Sequence, residues 1–185
     1  MAELLSPLFG MAACFLLPTA PARPLPGGRT GPSWYDYDGD PQRFQRELER
    51  TERLLLDFLR AVEAQLALTP RVRFLLGYSQ GGYCGAWVAL RHPDRFRGMV
   101  ISSARVKTEV LAEAIAAAGR LGFTALLCHG ERDESVKPEA ARTSRDGLAA
   151  GGVQVTLRMF DSGHALGSEQ VEAIRVWLAA QLDRD

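Results

Sequence analysis

The chain has 185 residues, 46% of them hydrophobic, with 22 Lys and Arg balanced by 22 Asp and Glu. That length suits one domain with a sizeable core, and the expected organisation is a single domain over residues 1–185. A formal net charge of zero provides no field to attract nucleic acid or an anionic membrane surface. No apolar run approaches the roughly 18 residues that a membrane-spanning helix needs. Cys14, Cys84 and Cys128 all lie among apolar neighbours and lack metal-ligand spacing. They are expected to be buried free thiols of a cytoplasmic chain. Residues 6–20 are fairly apolar, and Ala20-Pro21-Ala22 faintly resembles a cleavage site. However, no Lys or Arg precedes the stretch and Glu3 is acidic, so it does not read as a secretory signal.

In chain order, residues 1–9 fit one or two helical turns. Residues 12–17 form a short apolar run ended by Pro18, which predicts a buried strand. Residues 18–41 are rich in Pro and Gly and predict a long loop. The aromatic cluster Trp34, Tyr35 and Tyr37 argues that this loop is ordered. Its rings either fill core beneath the loop or line a pocket; Trp34 is carried forward as a candidate substrate contact. Residues 41–66 carry the strongest helical pattern, with Phe44, Leu48, Leu55, Leu59, Val62 and Leu66 on one face. The charges between them form a solvated face, not a binding patch. A strand is predicted at 72–77, a helix at 81–91 ended by His92-Pro93, a strand at 98–102 and a helix at 108–118. A further strand at 124–128 leads into the segment His129 to Lys137. Pro138 suits a first helical position, and the helix it opens runs to residue 150. Residues 153–160 alternate as a strand, Asp161-Ser162-Gly163-His164 form a turn, and residues 168–182 form the last helix. Ser168 is its predicted N-cap, and Val171, Ile174, Trp177 and Leu178 lie on its inner face. Strands and helices alternating in this way predict an α/β fold, a mostly parallel sheet with helices on both faces.

The chemistry centres on Gly77-Tyr78-Ser79-Gln80-Gly81. With a strand before it and a helix after it, Gly-x-Ser-x-Gly reads as a nucleophile elbow, a sharp turn that projects the serine Oγ. Gly77 and Gly81 are expected where a side chain would collide with the neighbouring strand or helix. A serine hydroxyl needs a base, and only three histidines are available. His92 reads as a helix-end residue and His129 as a turn-shaping residue. His164 follows the last strand, so it shares with Ser79 the sheet edge where strand C-termini open. It is the candidate base. The acid that orients it should also follow a strand. Asp133 does; Glu131 and Glu134 are near, and Asp161 reads as a turn cap. The order Ser79, Asp133, His164 is that of α/β-hydrolases.

At these residues the chain resembles the phospholipase/carboxylesterase family of α/β-hydrolases, which includes acyl-protein thioesterases and small bacterial carboxylesterases. The matching pieces are residues 17–24, Ser33-Trp34-Tyr35-Asp36, Gly77-Tyr78-Ser79-Gln80-Gly81-Gly82, His129-Gly130 with Asp133 and Val136-Lys137-Pro138, and Gly163-His164. The resemblance implies serine-dependent hydrolysis of small or lipid-like carboxylic esters or thioesters, without cofactor or metal. It carries the triad onto Ser79, Asp133 and His164, and one oxyanion donor onto the backbone N–H of Gln80. Val136 joins Trp34 as a candidate substrate contact. The family has further strands before the Pro-rich segment, one ending in a His-Gly-x-Gly loop that supplies a second oxyanion donor. No such loop occurs in this chain, and Gly27-Gly28 is wrongly placed to replace it. The expectation is therefore an N-terminally truncated α/β-hydrolase. Its activity is expected to be reduced, since one oxyanion donor is typically worth about 10²–10³ in rate. In the family's sheet a strand lies between the 12–17 run and the serine strand. Here those two must pair directly or leave a gap. The alternatives are a weakly active or inactive relative serving as a binding module, and a dienelactone-hydrolase-like or peptidase-like enzyme. The serine disfavours the dienelactone type, whose nucleophile is usually a cysteine.

Overall fold

Four strands, β3 (Phe74–Tyr78), β4 (Gly98–Ser102), β5 (Thr124–Gly130) and β6 (Gln154–Phe160), pair in chain order as a parallel sheet. Every residue of β4 and β5 is buried, as expected for strands covered on both faces. In the register, Tyr78, Ser102, Cys128 and Arg158 face one another across the sheet. The computed structural model describes residues 2–25 and 29–183. It divides into two units: Met1–Leu17 with Phe74–Asp185, and Pro18–Arg73.

In the first unit, α3 (Gln80–Arg91), α4 (Ala112–Arg120) and α5 (Pro138–Ala150) are the crossovers between successive strands. Right-handed crossovers in a sheet that grows in one direction put these helices on one face. Gly85 of α3 packs against Leu75 so closely that a Cβ there would lie 2.4 Å from its Cδ2. The opposite face carries Val100, Leu126 and Cys128. It is covered by Val171, Ile174 and Leu178 of α6 (Ser168–Leu182), and by Leu5 and Leu8 from α1 (Ala2–Leu5) and the 3-10 turn Ser6–Leu8. Trp177 sets its ring edge-on to Phe74, centroids 5.8 Å apart. Each fully buried Leu or Ile contributes roughly 1.5–3 kcal/mol. Packing therefore holds α6 in place far more firmly than any cap: Ser168 is its first residue, and Gly167 stands at the cap position with no side-chain bond.

The second unit holds β1 (Ala22–Leu25), β2 (Arg29–Pro32) and the long helix α2 (Pro41–Gln65). β1 and β2 pair antiparallel, Ala22 opposite Pro32 and Leu25 opposite Arg29. Gly27-Gly28 lie between them, outside the described residues. Asp40 caps α2 by accepting from the amides of Gln42 and Arg43 at 2.9 and 3.2 Å, with Pro41 in the first turn. Tyr35 and Tyr37 both set their rings against Phe44 of α2, centroids 5.0 and 4.9 Å apart. Arg23 of β1 is buried. It bonds to Glu47 of α2, to Asp36 at 3.1 Å and to the Trp34 carbonyl at 3.3 Å, while its Nε has no partner.

Four further expectations need correction. Residues 12–17 are not a strand. Ala12, Ala13, Cys14 and Leu17 are exposed, and the segment is held by Met11 and Phe15 on the α6 core and by Phe9 against Phe15, at 5.2 Å. A short apolar run reports hydrophobicity, not backbone direction. This run therefore does not pair with the serine strand, and β3 stands at the edge of the sheet with no strand on its outer side among the described residues. Cys14, being part of it, is exposed rather than buried; Cys84 and Cys128 are buried free thiols. The 18–41 segment is not all loop but contains the β1–β2 hairpin. Its Pro24, Pro32 and Gly31 argue against a strand in sequence, and an isolated two-stranded hairpin can accommodate them because both strands are edges. The helix expected over 108–118 is a 3-10 turn at Thr108–Val110 followed by α4, two residues longer at its end.

Candidate active site

β3 ends at Tyr78, and Ser79 takes φ 52° and ψ −121° before α3 begins. A non-glycine residue in the left-handed region is strained by about 1–3 kcal/mol. The turn is closed by contact between glycines: a Cβ on Gly77 would fall 2.3 Å from the Gly81 carbonyl oxygen. The amide of Ser79 donates to the Ser102 carbonyl at the end of β4, 2.9 Å away, which fixes the elbow against its neighbouring strand.

Asp133 lies just after β5 and is 1% exposed. Its Oδ1 accepts from the amides of Ser135 and Val136, at 2.9 and 2.8 Å. Its Oδ2 lies 2.8 Å from His164 Nδ1. Burial alone would push this carboxyl up. The Val136 amide, the His164 ring and the Ser135 amide outweigh it and hold the group below the usual aspartate range. A carboxylate can only accept, so Nδ1 carries the proton and Nε2 presents a lone pair. That Nε2 is 2.9 Å from Ser79 Oγ.

The turn bearing His164 is pressed onto the end of β5. A Cβ on Gly130 would come within 2.3 and 2.4 Å of the carbonyl oxygens of Gly163 and Ser162, so only glycine permits this approach. From above, the Tyr78 hydroxyl donates to the His164 carbonyl at 3.0 Å. The assembled line of hydroxyl, imidazole and carboxylate can take a proton from Ser79 as a bond forms at its oxygen, and can return it to a leaving group.

A profile of the phospholipase/carboxylesterase family matches residues 11–182, a span that includes segments of both units. The chain belongs to this family. With the sheet and helices described above, it is an α/β-hydrolase of the esterase/thioesterase type. It is similar to mouse lysophospholipase-like protein 1, 26% identical over 180 residues, covering 90% of this chain and 72% of that protein. Among solved structures it is similar in fold to SOBER1 of Arabidopsis thaliana, with a TM-score of 0.75 and 21% identity over 98% of this chain and 91% of that one. Acyl-protein thioesterase 2 of Zea mays gives 0.70 and 24%, over 89% and 80%.

The remaining candidates of this phospholipase/carboxylesterase member are not part of the hydrogen-bonded line. His92 ends α3, its amide reaching the Ala89 carbonyl. Asp161 is exposed and pairs with Arg132; Glu131 pairs with Arg142 at 2.9 Å; Glu134 is exposed. Val136 sits in the Asp133 loop, half-buried, while Trp34 belongs to the second unit, where its carbonyl accepts from Arg23 and Thr51. His129 does shape the turn after β5. It is buried, with Nε2 2.8 Å from the Val136 carbonyl and 3.4 Å from Asp133 Oδ2, while Nδ1 has no partner. Nothing in the sequence singles out Tyr78 or Gln170 as a site residue. In sequence Tyr78 is only the variable position of the elbow motif. A Gln directly before Val171 on the inner side of α6 was the one signal available for the other.

Proposed function

We propose that the chain is a serine hydrolase cleaving carboxylic esters or thioesters through an acyl-enzyme. The observation that carries this reading is the unbroken line from Ser79 Oγ to His164 Nε2 at 2.9 Å and from His164 Nδ1 to Asp133 Oδ2 at 2.8 Å. Ser79 Oγ attacks the acyl carbonyl while His164 Nε2 takes its proton. Asp133 steadies the imidazolium that forms. The oxyanion meets the backbone N–H of Gln80 at the N-terminus of α3, where the helix dipole favours negative charge. The tetrahedral species collapses and expels the alcohol or thiol, which His164 protonates. Water, deprotonated by His164, then attacks the acyl-enzyme and regenerates Ser79. No step calls for a metal or cofactor.

The names of the similar proteins, a lysophospholipase-like protein and an acyl-protein thioesterase, support lipid-like acyl esters and thioesters as the substrate class. In this reading Val136, whose amide bonds to Asp133 Oδ1, is the proposed acyl contact. The test is a fluorophosphonate probe together with short p-nitrophenyl esters. The wild-type chain is expected to become covalently labelled and to turn over ester; Ser79→Ala is expected to do neither. A wild-type chain that folds but is not labelled would overturn the reading in favour of a binding module.

A further inference from the structure

We infer that the buried Ser102–Gln170 pair is a positioning bridge that holds the turn carrying His164 in register with Ser79. The inference rests on the reading of Ser79 and His164 as nucleophile and base. Gln170 lies in α6 and is 1% exposed, next to Val171 and within one turn of Ile174, both part of the apolar core. An apolar side chain there would avoid desolvating a carboxamide. A buried amide is tolerated where its donors and acceptor are paired, and here they are. Oε1 accepts from Ser102 Oγ at 2.8 Å. Nε2 donates to the Ala165 carbonyl at 2.9 Å and to Ser162 Oγ at 3.3 Å. The orientation of the amide follows from its partners, because the Ala165 carbonyl can only accept.

All of these partners sit in two places, the tip of β4 and the two flanks of His164. Ser102 also has a second role at the site, since its carbonyl accepts from the amide of Ser79. A continuous path therefore runs from the Ser79 backbone through Ser102 and the Gln170 amide to the residue after the histidine. Tyr78 adds a parallel strut: its hydroxyl reaches the His164 carbonyl one residue before Ser79. The two connections fix successive carbonyls of one turn, those of residues 164 and 165. Such fixing acts on the distance that matters, the 2.9 Å between Nε2 and Oγ. None of the three side chains need touch substrate.

The experiment compares Gln170→Met, Ser102→Ala and Tyr78→Phe with the wild type. It measures kcat and KM on a short p-nitrophenyl ester, the end-point of fluorophosphonate labelling, which counts competent sites, and the melting temperature. A displaced catalytic group can cost up to about 10²-fold in rate. Gln170→Met is therefore expected to lower kcat per labelled site by about 10- to 10²-fold with KM little changed. Ser102→Ala and Tyr78→Phe should act in the same direction and less. A purely structural role would lower the melting temperature and the number of labelled sites but leave kcat per labelled site at the wild-type value; that result overturns the bridge. If Gln170→Met does not fold, wild-type kcat per site in both of the other variants overturns it equally. A wild-type chain that neither labels nor hydrolyses overturns the reading of the site and the bridge with it. An active wild type with indifferent variants overturns the bridge alone.

Discussion

The tips of β3 and β4 are near copies of each other. Tyr78 and Ser102 are paired in register, and each is followed by a serine in the left-handed region, Ser79 at φ 52° and Ser103 at φ 49°. Both chains turn sharply at the same edge of the sheet, and both carry strain of about 1–3 kcal/mol. Their neighbours differ. Ser79 is half-buried, opens a helix and faces His164 Nε2. Ser103 is fully buried, and among the described residues its hydroxyl reaches only the Ala165 carbonyl, at a long 3.4 Å. Backbone strain marks where a parallel sheet turns its strand ends. The imidazole beside one of them separates a candidate nucleophile from a structural serine.

The comparison is tested most severely by Ser79→Ala. It is expected to lower ester turnover by roughly 10⁶-fold while leaving the melting temperature unchanged or higher, because alanine removes little volume. Next comes the acid. Asp133→Asn should cost on the order of 10⁴-fold, since an amide favours the wrong imidazole tautomer. Asp161→Asn, whose parent carboxylate is exposed and paired with Arg132, should cost almost nothing; the reverse ranking would reassign the acid. The Asp133 carboxyl is held below its usual range, so its stabilisation is complete above the unfolded value of about 4 and is lost as pH falls through the lower folded value. Melting curves of wild type and Asp133→Asn recorded down the pH scale should keep a constant separation to about pH 4. Below that, the separation should shift against the wild type. Ser103→Ala should lower turnover by about threefold at most, the effect of one weak hydrogen bond. A loss approaching that of Ser79→Ala would erase the distinction between the two tips.

The smallest effect concerns the thiols behind each tip. Cys84 lies on the helix that Ser79 opens, and the carbonyl of Cys128 accepts from the Ser103 amide. Burial pushes both thiols up to about 12. Native protein should therefore react rapidly with a disulfide reagent at exposed Cys14 alone, and at all three cysteines only after unfolding. Rapid loss of two or three thiols from the native chain would show that the strand tips open more readily than their packing implies.

Much of the sheet unit could be read from the sequence because its pattern is local. The strand leading to Tyr78, the helix after Ser79 and the Pro138 start of α5 each carry their own signal within a few residues. The meeting of Ser79, Asp133 and His164 was expected because parallel strands open on one edge, so residues just after three strands converge there. Contacts between distant residues were not readable. Gln170 resembles any polar helical residue until Ser102 and Ala165 are brought to it from 68 and five positions away. The β1–β2 hairpin was hidden because Pro24, Gly31 and Pro32 carry turn signals, and its pairing is decided by the register of Ala22 with Pro32 rather than by propensity.

Arg23 gives the second unit an uneven response to ionic strength. Its side chain is 7% exposed and that of Glu47 21%, whereas Arg43–Asp38 and Arg60–Asp57 lie open along α2 at 47% to 66%. The Debye length shortens from about 10 Å at 0.1 M salt to about 3 Å at 1 M, so counterions weaken exposed pairs progressively but penetrate poorly to a covered guanidinium. Added salt should erode the surface pairs of α2 first and leave Arg23 bound to Glu47. The tie between hairpin and helix is thus the electrostatic contact that a concentrated electrolyte would affect last.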